Sequence, residues 1–240
     1  MTVTNNRLTA ACLTVLILGC GQQDVGQPVA EPDATATEAS NSTADAGQLF
    51  FEVEDGFKLL GLDDFEVFHG TEPTDEQTWT AEGELLQCTG NPRGYLYSRQ
   101  PYTNFTLRLD YRFVPQEGAD ETKLSNSNTG FLIYITGDDK LWPVSLEVQG
   151  KHVEMAHIKA NGGAAAIDVE DNETARNEHR QPVGEWNSIE IASKDGSLTS
   201  LLNGAKICQS QPGELTSGLI GIQSEDFETQ FRNLRIREED

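Results

Sequence analysis

From Phe105 to Phe113 the chain alternates without a break. Phe105, Leu107, Leu109, Tyr111 and Phe113 are apolar, and Thr106, Arg108, Asp110 and Arg112 between them are polar. Successive side chains of a strand point to opposite faces, so this segment buries one face and wets the other. A helix cannot use the pattern, because its apolar positions must recur every three to four residues. Val144, Leu146 and Val148 alternate in the same way with Ser145, Glu147 and Gln149, and Ile189 and Ile191 with Ser188 and Glu190. Further strands are expected at Glu84–Cys88, Tyr95–Arg99, Thr129–Ile135, His152–Ile158, Ser197–Asn203, Gly218–Gln223 and Thr229–Arg237. Turn residues separate them: Asn91-Pro92-Arg93-Gly94, Gly137-Asp138-Asp139, Lys194-Asp195-Gly196 and Gln211-Pro212-Gly213. Asn203-Gly204 suits the two-residue turn of a hairpin. No segment carries a sustained helical stripe. The pattern predicts an all-β domain, an antiparallel two-sheet sandwich or jelly roll. Pro115 to Asn128 and Asn161 to Glu185 break the rhythm and are expected to be long loops.

The N-terminal end reads differently. Arg7 is the only charge ahead of the apolar and small residues Leu8 to Leu18, a signal-peptide pattern too short to span a bilayer. The run ends Ile17-Leu18-Gly19-Cys20, which resembles a lipobox, where cleavage before a cysteine frees its thiol for acylation. The expected organisation is a signal peptide over 1–19, lipidated Cys20 with a disordered tether over 20–48, and one domain over 49–240. The tether is polar and has almost no large apolar residue, so it cannot offset its ordering entropy. The expected location is the cell envelope, anchored to a membrane through lipid on the periplasmic side or the cell surface. Thirty-nine acids against 17 bases exclude a nucleic-acid partner, which needs a positive surface. Cys88 and Cys208 remain in the domain; an exported compartment permits a disulfide between them, and two separate buried thiols fit equally well.

Gly-x-Ser-x-Gly, Walker, His-Glu-x-x-His and Cys-x-x-Cys motifs are all absent. The segment Pro143 to Gly150 carries the most information. With Val144, Leu146 and Val148 in the core, Glu147 and Gln149 point away from it, onto solvent or a cleft. His157 shares its parity with Val153 and Met155, which suits a core-side histidine. Trp142 fits a sugar-stacking platform or a core position. Trp186 is expected to be buried at the entry to a core strand.

An ordered series of segments runs along the domain. It comprises Phe57–Phe68, Trp79-Thr80-Ala81-Glu82-Gly83-Glu84-Leu85, Gly94-Tyr95-Leu96 and Asn104 to Arg112. Asn128-Thr129-Gly130-Phe131, Trp142-Pro143, Glu147-Val148-Gln149 and Gly184-Glu185-Trp186-Asn187 follow. Leu202-Asn203-Gly204, Gly221 to Glu225 and Phe231 to Ile236 close it. The series resembles the 3-keto-disaccharide hydrolase domain family. Thr129 stands where that family's Asn-Ser-Gly turn has Ser, and the segment after Gly150 does not match. The resemblance implies a concanavalin A-like jelly roll acting on glycosides already oxidised to a ketone at sugar carbon 3. A sugar 3-dehydrogenase would then supply the substrate. Glucanases of that fold carry Glu-x-Asp-x-x-Glu, which is absent here.

A ketone at C3 acidifies the hydrogen on C2, so one base and one group that stabilises the enolate oxygen suffice for cleavage. Under the resemblance, Glu147 is the expected base or metal ligand, with His157 as its catalytic partner. Asn128, Trp142, Gln149, Lys159 and Gln223 are the expected substrate-binding residues. No cofactor is firmly implied, and a divalent cation is compatible with the set. A non-catalytic carbohydrate-binding module and a structural surface scaffold are the alternatives, since one fold hosts all three.

Overall fold

The computed structural model describes residues 52–70 and 77–240. The expected signal peptide, Cys20 and the tether lie outside the described residues. In chain order the strands are β1 (Lys58–Leu59), β2 (Phe65–His69), β3 (Trp79–Glu82), β4 (Leu85–Cys88) and β5 (Gly94–Ser98). Then come β6 (Phe105–Phe113), β7 (Gly130–Thr136), β8 (Val144–Gln149), β9 (Ile158–Asn161) and β10 (Val169–Asp171). β11 (Asn187–Lys194), β12 (Ser197–Leu202), β13 (Ala205–Ser210), β14 (Leu219–Ser224) and β15 (Thr229–Glu238) complete them. They form two antiparallel sheets. A nine-stranded sheet runs β10-β13-β12-β11-β6-β15-β4-β3, with β1 beside β15. A six-stranded sheet runs β2-β5-β14-β7-β8-β9. The fold is the expected sandwich.

The alternation explains the packing. Phe105, Leu107, Leu109, Tyr111 and Phe113 of β6 are buried, as are Leu146 and Val148 of β8. Tyr111 sits among rings from both sheets: Phe131 lies edge-on at 5.4 Å and Phe231 stacks at 6.2 Å. On the outer face of β6, Arg108 pairs with Glu190 at 2.8 Å and Asp110 with Arg232 at 3.2 Å. Asn203 and Gly204 both have positive φ, at 50° and 84°, as a type I′ hairpin turn between β12 and β13 requires. Except at His152–Ile158, the expected strands fall within a residue of those observed, save that β11 runs on to Lys194 past the alternating Ser188–Ile191.

Three expectations need correction. His152–Ile158 is not a strand. It is the connection between β8 and β9, with a single 3₁₀ turn at His152–Glu154. The Gln149 N–H donates to the His157 carbonyl at 2.7 Å and the Ala156 N–H to the Gln149 carbonyl at 2.8 Å, so the segment closes on itself like a long hairpin loop. The two expected loops contain short helices, α1 (Glu121–Ser125) and α2 (Glu173–His179), and the second also contributes β10. Side-chain caps start both helices: Asp120 accepts from the Lys123 N–H at 2.8 Å and Asn172 from the Ala175 N–H at 3.0 Å. Trp186 is only half-buried. Its ring lies between the guanidinium groups of Arg112 and Arg232, at 4.6 and 4.1 Å. Cys88 and Cys208 are separate buried thiols, and burial pushes each up to about 11.

The β8–β9 connection is tied to the nine-stranded sheet from several directions. The Tyr111 hydroxyl donates to the Gly150 carbonyl at 2.9 Å. Arg176 Nε donates to the Met155 carbonyl at 2.7 Å, and Arg180 to the His152 carbonyl at 3.1 Å. Asp171 holds the buried Arg176 guanidinium and bonds His157 Nδ1 at 3.1 Å. Burial pushes the Asp171 carboxyl up, but the hydrogen bonds from His157 and Arg176 outweigh it, and the net shift is down. A carboxyl held below its unfolded value contributes stability at higher pH, which is lost as pH falls through the folded value. Replacing Asp171 with Ala leaves Arg176 buried without its counter-charge. We expect Asp171→Ala to lower unfolding free energy by roughly 2–4 kcal/mol in urea titration at neutral pH, and by less in acid. A change within about 0.5 kcal/mol would mean that the group does not hold the connection.

Candidate functional site

The outer face of the six-stranded sheet differs from the wet face that alternation implies. Neighbouring strands place Tyr95 beside Gln223 and Gly130 beside Gln149, and the Gln223 side chain reaches over Gly130. The next row runs from Tyr97 through Gly221, Leu132 and Glu147 to Lys159. Tyr95, Leu132 and Ile135 form a second buried apolar cluster on this face, flanked by Phe68, Tyr97 and Leu219. Phe68 stacks on Tyr95 with centroids 5.0 Å apart. The segment after β7 covers part of it. Leu141 packs on Gly70, where a Cβ would meet its Cδ1 at 2.3 Å. Burial, assisted by the charge of Asp139, pushes the Tyr95 phenol up to about 12.

Beside this cluster stands Glu147, only 3% exposed. Its Oε2 lies 3.5 Å from Lys159 Nζ, whose side chain is 40% exposed. Burial raises the Glu147 carboxyl, Lys159 opposes that shift, and the charges of Glu225 and Glu154 add to it. Glu225 is raised as well, chiefly by burial and against the pull of Arg93; the Asn128 side chain hydrogen bonds its carboxylate. Glu147 therefore holds its proton more tightly than a free carboxylate, yet remains beside one ammonium group.

Gly130 makes the space above β7. A Cβ there would lie 2.6 Å from Glu147 Oε1 and 2.2 Å from Gln223 Oε1. Two acceptor oxygens thus converge over a residue without a side chain. Gln223 is 3% exposed, and its Oε1 has no hydrogen-bond partner among the described residues. The buried Asn128 Oδ1 also lacks one. Buried polar atoms without partners are rare enough to need a reason, and a role in binding is one. The Gln223 backbone is fixed, because Thr129 Oγ1 donates to its carbonyl at 2.8 Å. The Thr129 methyl is accommodated by Gly150, where a Cβ would come within 2.6 Å of it.

The expected site residues therefore divide. Glu147, Lys159, Gln223 and Asn128 are brought together. Gln149 is buried on the same face, but its side-chain oxygen accepts from the Lys151 N–H at 2.8 Å. Trp142 precedes β8 and is half-buried; its carbonyl closes on Gly162. His157 turns to Asp171 instead of Glu147. His157, Asp171 and Cys208 offer ligand atoms all within 4.8 Å of one another. That group reads as a hydrogen-bonded latch rather than a metal centre. Arg176 already occupies Asp171. Tyr95, Leu132 and Gly130 complete the site. Their signal was the parity of Tyr95 and Tyr97 against core-facing Leu96, together with the bare glycine opposite Gln149.

Comparison with known proteins identifies the family and the fold. Residues 55–237 match the 3-keto-alpha-glucoside-1,2-lyase-like domain, and the chain belongs to that family. No curated protein matches it in sequence. Two candidate glycosyl hydrolases from Parabacteroides distasonis share the fold. One has 18% identity and a TM-score of 0.55, covering 77% of this chain and 94% of that one. The other has 21% identity and a TM-score of 0.55, covering 76% and 99%. The carbohydrate-binding module CBM66 from Bacillus subtilis has 14% identity and a TM-score of 0.52, covering 73% and 96%.

The charge arrangement can be tested directly. Carbon-13 NMR titration of the carboxyl groups should show Glu147 titrating above the ordinary glutamate range. Lys159→Met should move it further up and Glu225→Gln down, following the signs of their charges. An unchanged Glu147 midpoint in both variants would refute the coupling.

Proposed function

We propose that this domain cleaves the glycosidic bond of 3-keto-glycosides by base-assisted elimination. The observation that carries the reading is the buried Glu147 carboxylate, projecting over bare Gly130 beside an ammonium group. In the ionised form Glu147 takes the C2 proton, which the C3 ketone makes acidic. The electron pair of the C–H bond moves towards C3, and negative charge builds on the ketone oxygen. Lys159 is the cation placed to stabilise that charge. The pair then forms the C1–C2 double bond as the C1–oxygen bond breaks, and the leaving oxygen takes a proton from solvent. Water added across the double bond gives net hydrolysis.

A raised pKa suits the base. A carboxylate close to the ordinary value is a weak acceptor for a carbon acid, and one raised above it is a stronger base in its ionised form. Glu147 and Gln223 also offer oxygen donors that suit a hard divalent cation, with Lys159 competing for the same carboxylate. In this reading a sugar 3-dehydrogenase supplies the ketone, and a lipid on Cys20 holds the domain at the cell envelope.

With 3-ketotrehalose or 3-ketosucrose as substrate, Glu147→Gln should lower kcat by about 10²–10⁴-fold. Gly130→Ala should reduce turnover as well, because its methyl occupies the space over which Glu147 and Gln223 meet. Full turnover by Glu147→Gln would exclude this mechanism, and saturable binding without turnover by the unaltered protein would leave a sugar-binding module. Activity and stability should also respond to pH in opposite senses. Turnover rises as Glu147 ionises, with its acid limb above the ordinary glutamate range. A carboxyl raised in the folded state contributes stability at low pH, lost as pH rises through the raised value. Glu147→Gln should therefore melt higher at neutral pH than the unaltered protein, where a gain of about 1 kcal/mol would appear as about 2–4 °C.

A further inference from the structure

We infer that Gln223 reads the C2 hydroxyl of the sugar and makes that hydroxyl a requirement of the substrate. The inference rests on the elimination reading above and adds to it the feature by which the site selects its sugar. Glu147 Oε1 and Gln223 Oε1 lie 2.6 and 2.2 Å from the same point above Gly130. A base taking the C2 proton approaches that carbon to about 3 Å. The substituents of C2 and its ring neighbours then come within reach of Gln223 Oε1 over the same glycine.

The chemistry of the substrate leaves one candidate. C1 carries the glycosidic oxygen and C3 carries the ketone oxygen, and both are acceptors only. The hydroxyl on C2 is the one donor on this part of the ring. Gln223 Oε1 is an acceptor, buried and without a partner among the described residues. The bond from Thr129 to the Gln223 carbonyl holds the strand in place beneath it. The geometry thus pairs the base with a fixed acceptor for the donor one bond away from the reacting carbon. A substrate that lacks this hydroxyl, or carries an acyl group on it, leaves the Gln223 oxygen unpaired and desolvated. Sites built to bond a substrate hydroxyl reject analogues without it by up to about 10⁴–10⁵-fold.

Gln223→Leu keeps the approximate size of the side chain and removes the acceptor. It is compared with the unaltered protein on p-nitrophenyl 3-keto-α-glucoside and on the 2-deoxy analogue, which retains an acidic C2 hydrogen. The readout is kcat/KM after subtraction of spontaneous elimination. The unaltered protein should prefer the 2-hydroxy substrate by about 10²-fold or more. Gln223→Leu should lose most of that preference by slowing far more on the 2-hydroxy substrate than on the 2-deoxy analogue. Equal slowing on both substrates would overturn the assignment and place the amide on the ketone oxygen or in the fold. So would an unaltered protein that does not discriminate between them. Glu147→Gln on both substrates separates the two levels of the argument. Its loss of turnover on both retains the elimination reading whatever Gln223 does, and its full activity on both would remove that reading and the assignment together.

Discussion

Burial of the Glu147 carboxylate depends on a second apolar layer that a sandwich does not ordinarily possess. The sheet carrying it already gives Leu96, Phe131, Ile133, Leu146, Val148 and Ile222 to the main core. Its other face would normally be wet. Here Tyr95, Leu132 and Ile135 form their own buried cluster on that face. Dry surroundings raise the carboxyl, and they also strengthen any interaction made with a developing negative charge. Without that layer Glu147 would be a hydrated strand residue with an ordinary acidity.

The same face is held from behind by bonds that never touch it. Tyr111, at the centre of the aromatic core, donates to Gly150, the residue after Gln149. Arg176, Arg180 and Asp171 fix the connection that leads from there into β9 and Lys159. β8 and β9 are therefore clamped at the end where Glu147 and Lys159 face each other. A long polar connection would otherwise let the ammonium group drift. Arg176 is among the few buried charges of the described residues, and its satisfied bonds explain how a charge can be kept there.

The fold was legible in the sequence because its information is local. Period-two alternation in β6, β8 and β11 assigns each residue a face, and Asn203-Gly204 specifies its own turn. His152–Ile158 shows where that logic stops. Its residues have strand composition, but the backbone bonds of Gln149 with Ala156 and His157 close the segment into a connection, and no residue within it announces that pairing. Parity assigned Glu147 to the outward face correctly but could not tell whether that face was wet. The answer lies in Tyr95 and Leu132, on strands remote in sequence and adjacent only after folding. His157 failed as a partner of Glu147 for the same reason: Asp171 reaches it from the other sheet.

The position of Lys159 shows how the site balances two demands. A fully buried, bidentate partner such as arginine would pull the Glu147 carboxyl down and leave a weak base. No partner at all would leave a buried carboxylate that stays protonated. Lys159 sits on the edge strand β9, partly in water, 3.5 Å from one oxygen of Glu147. Oε1 is the oxygen nearer the bare glycine. The ammonium group thus permits ionisation through Oε2 while Oε1 remains free to take a proton. Screening by water limits how far the ammonium can lower the carboxyl, so burial keeps the upper hand. An edge strand is the place in this sheet where a lysine can be close to a buried acid and still hydrated.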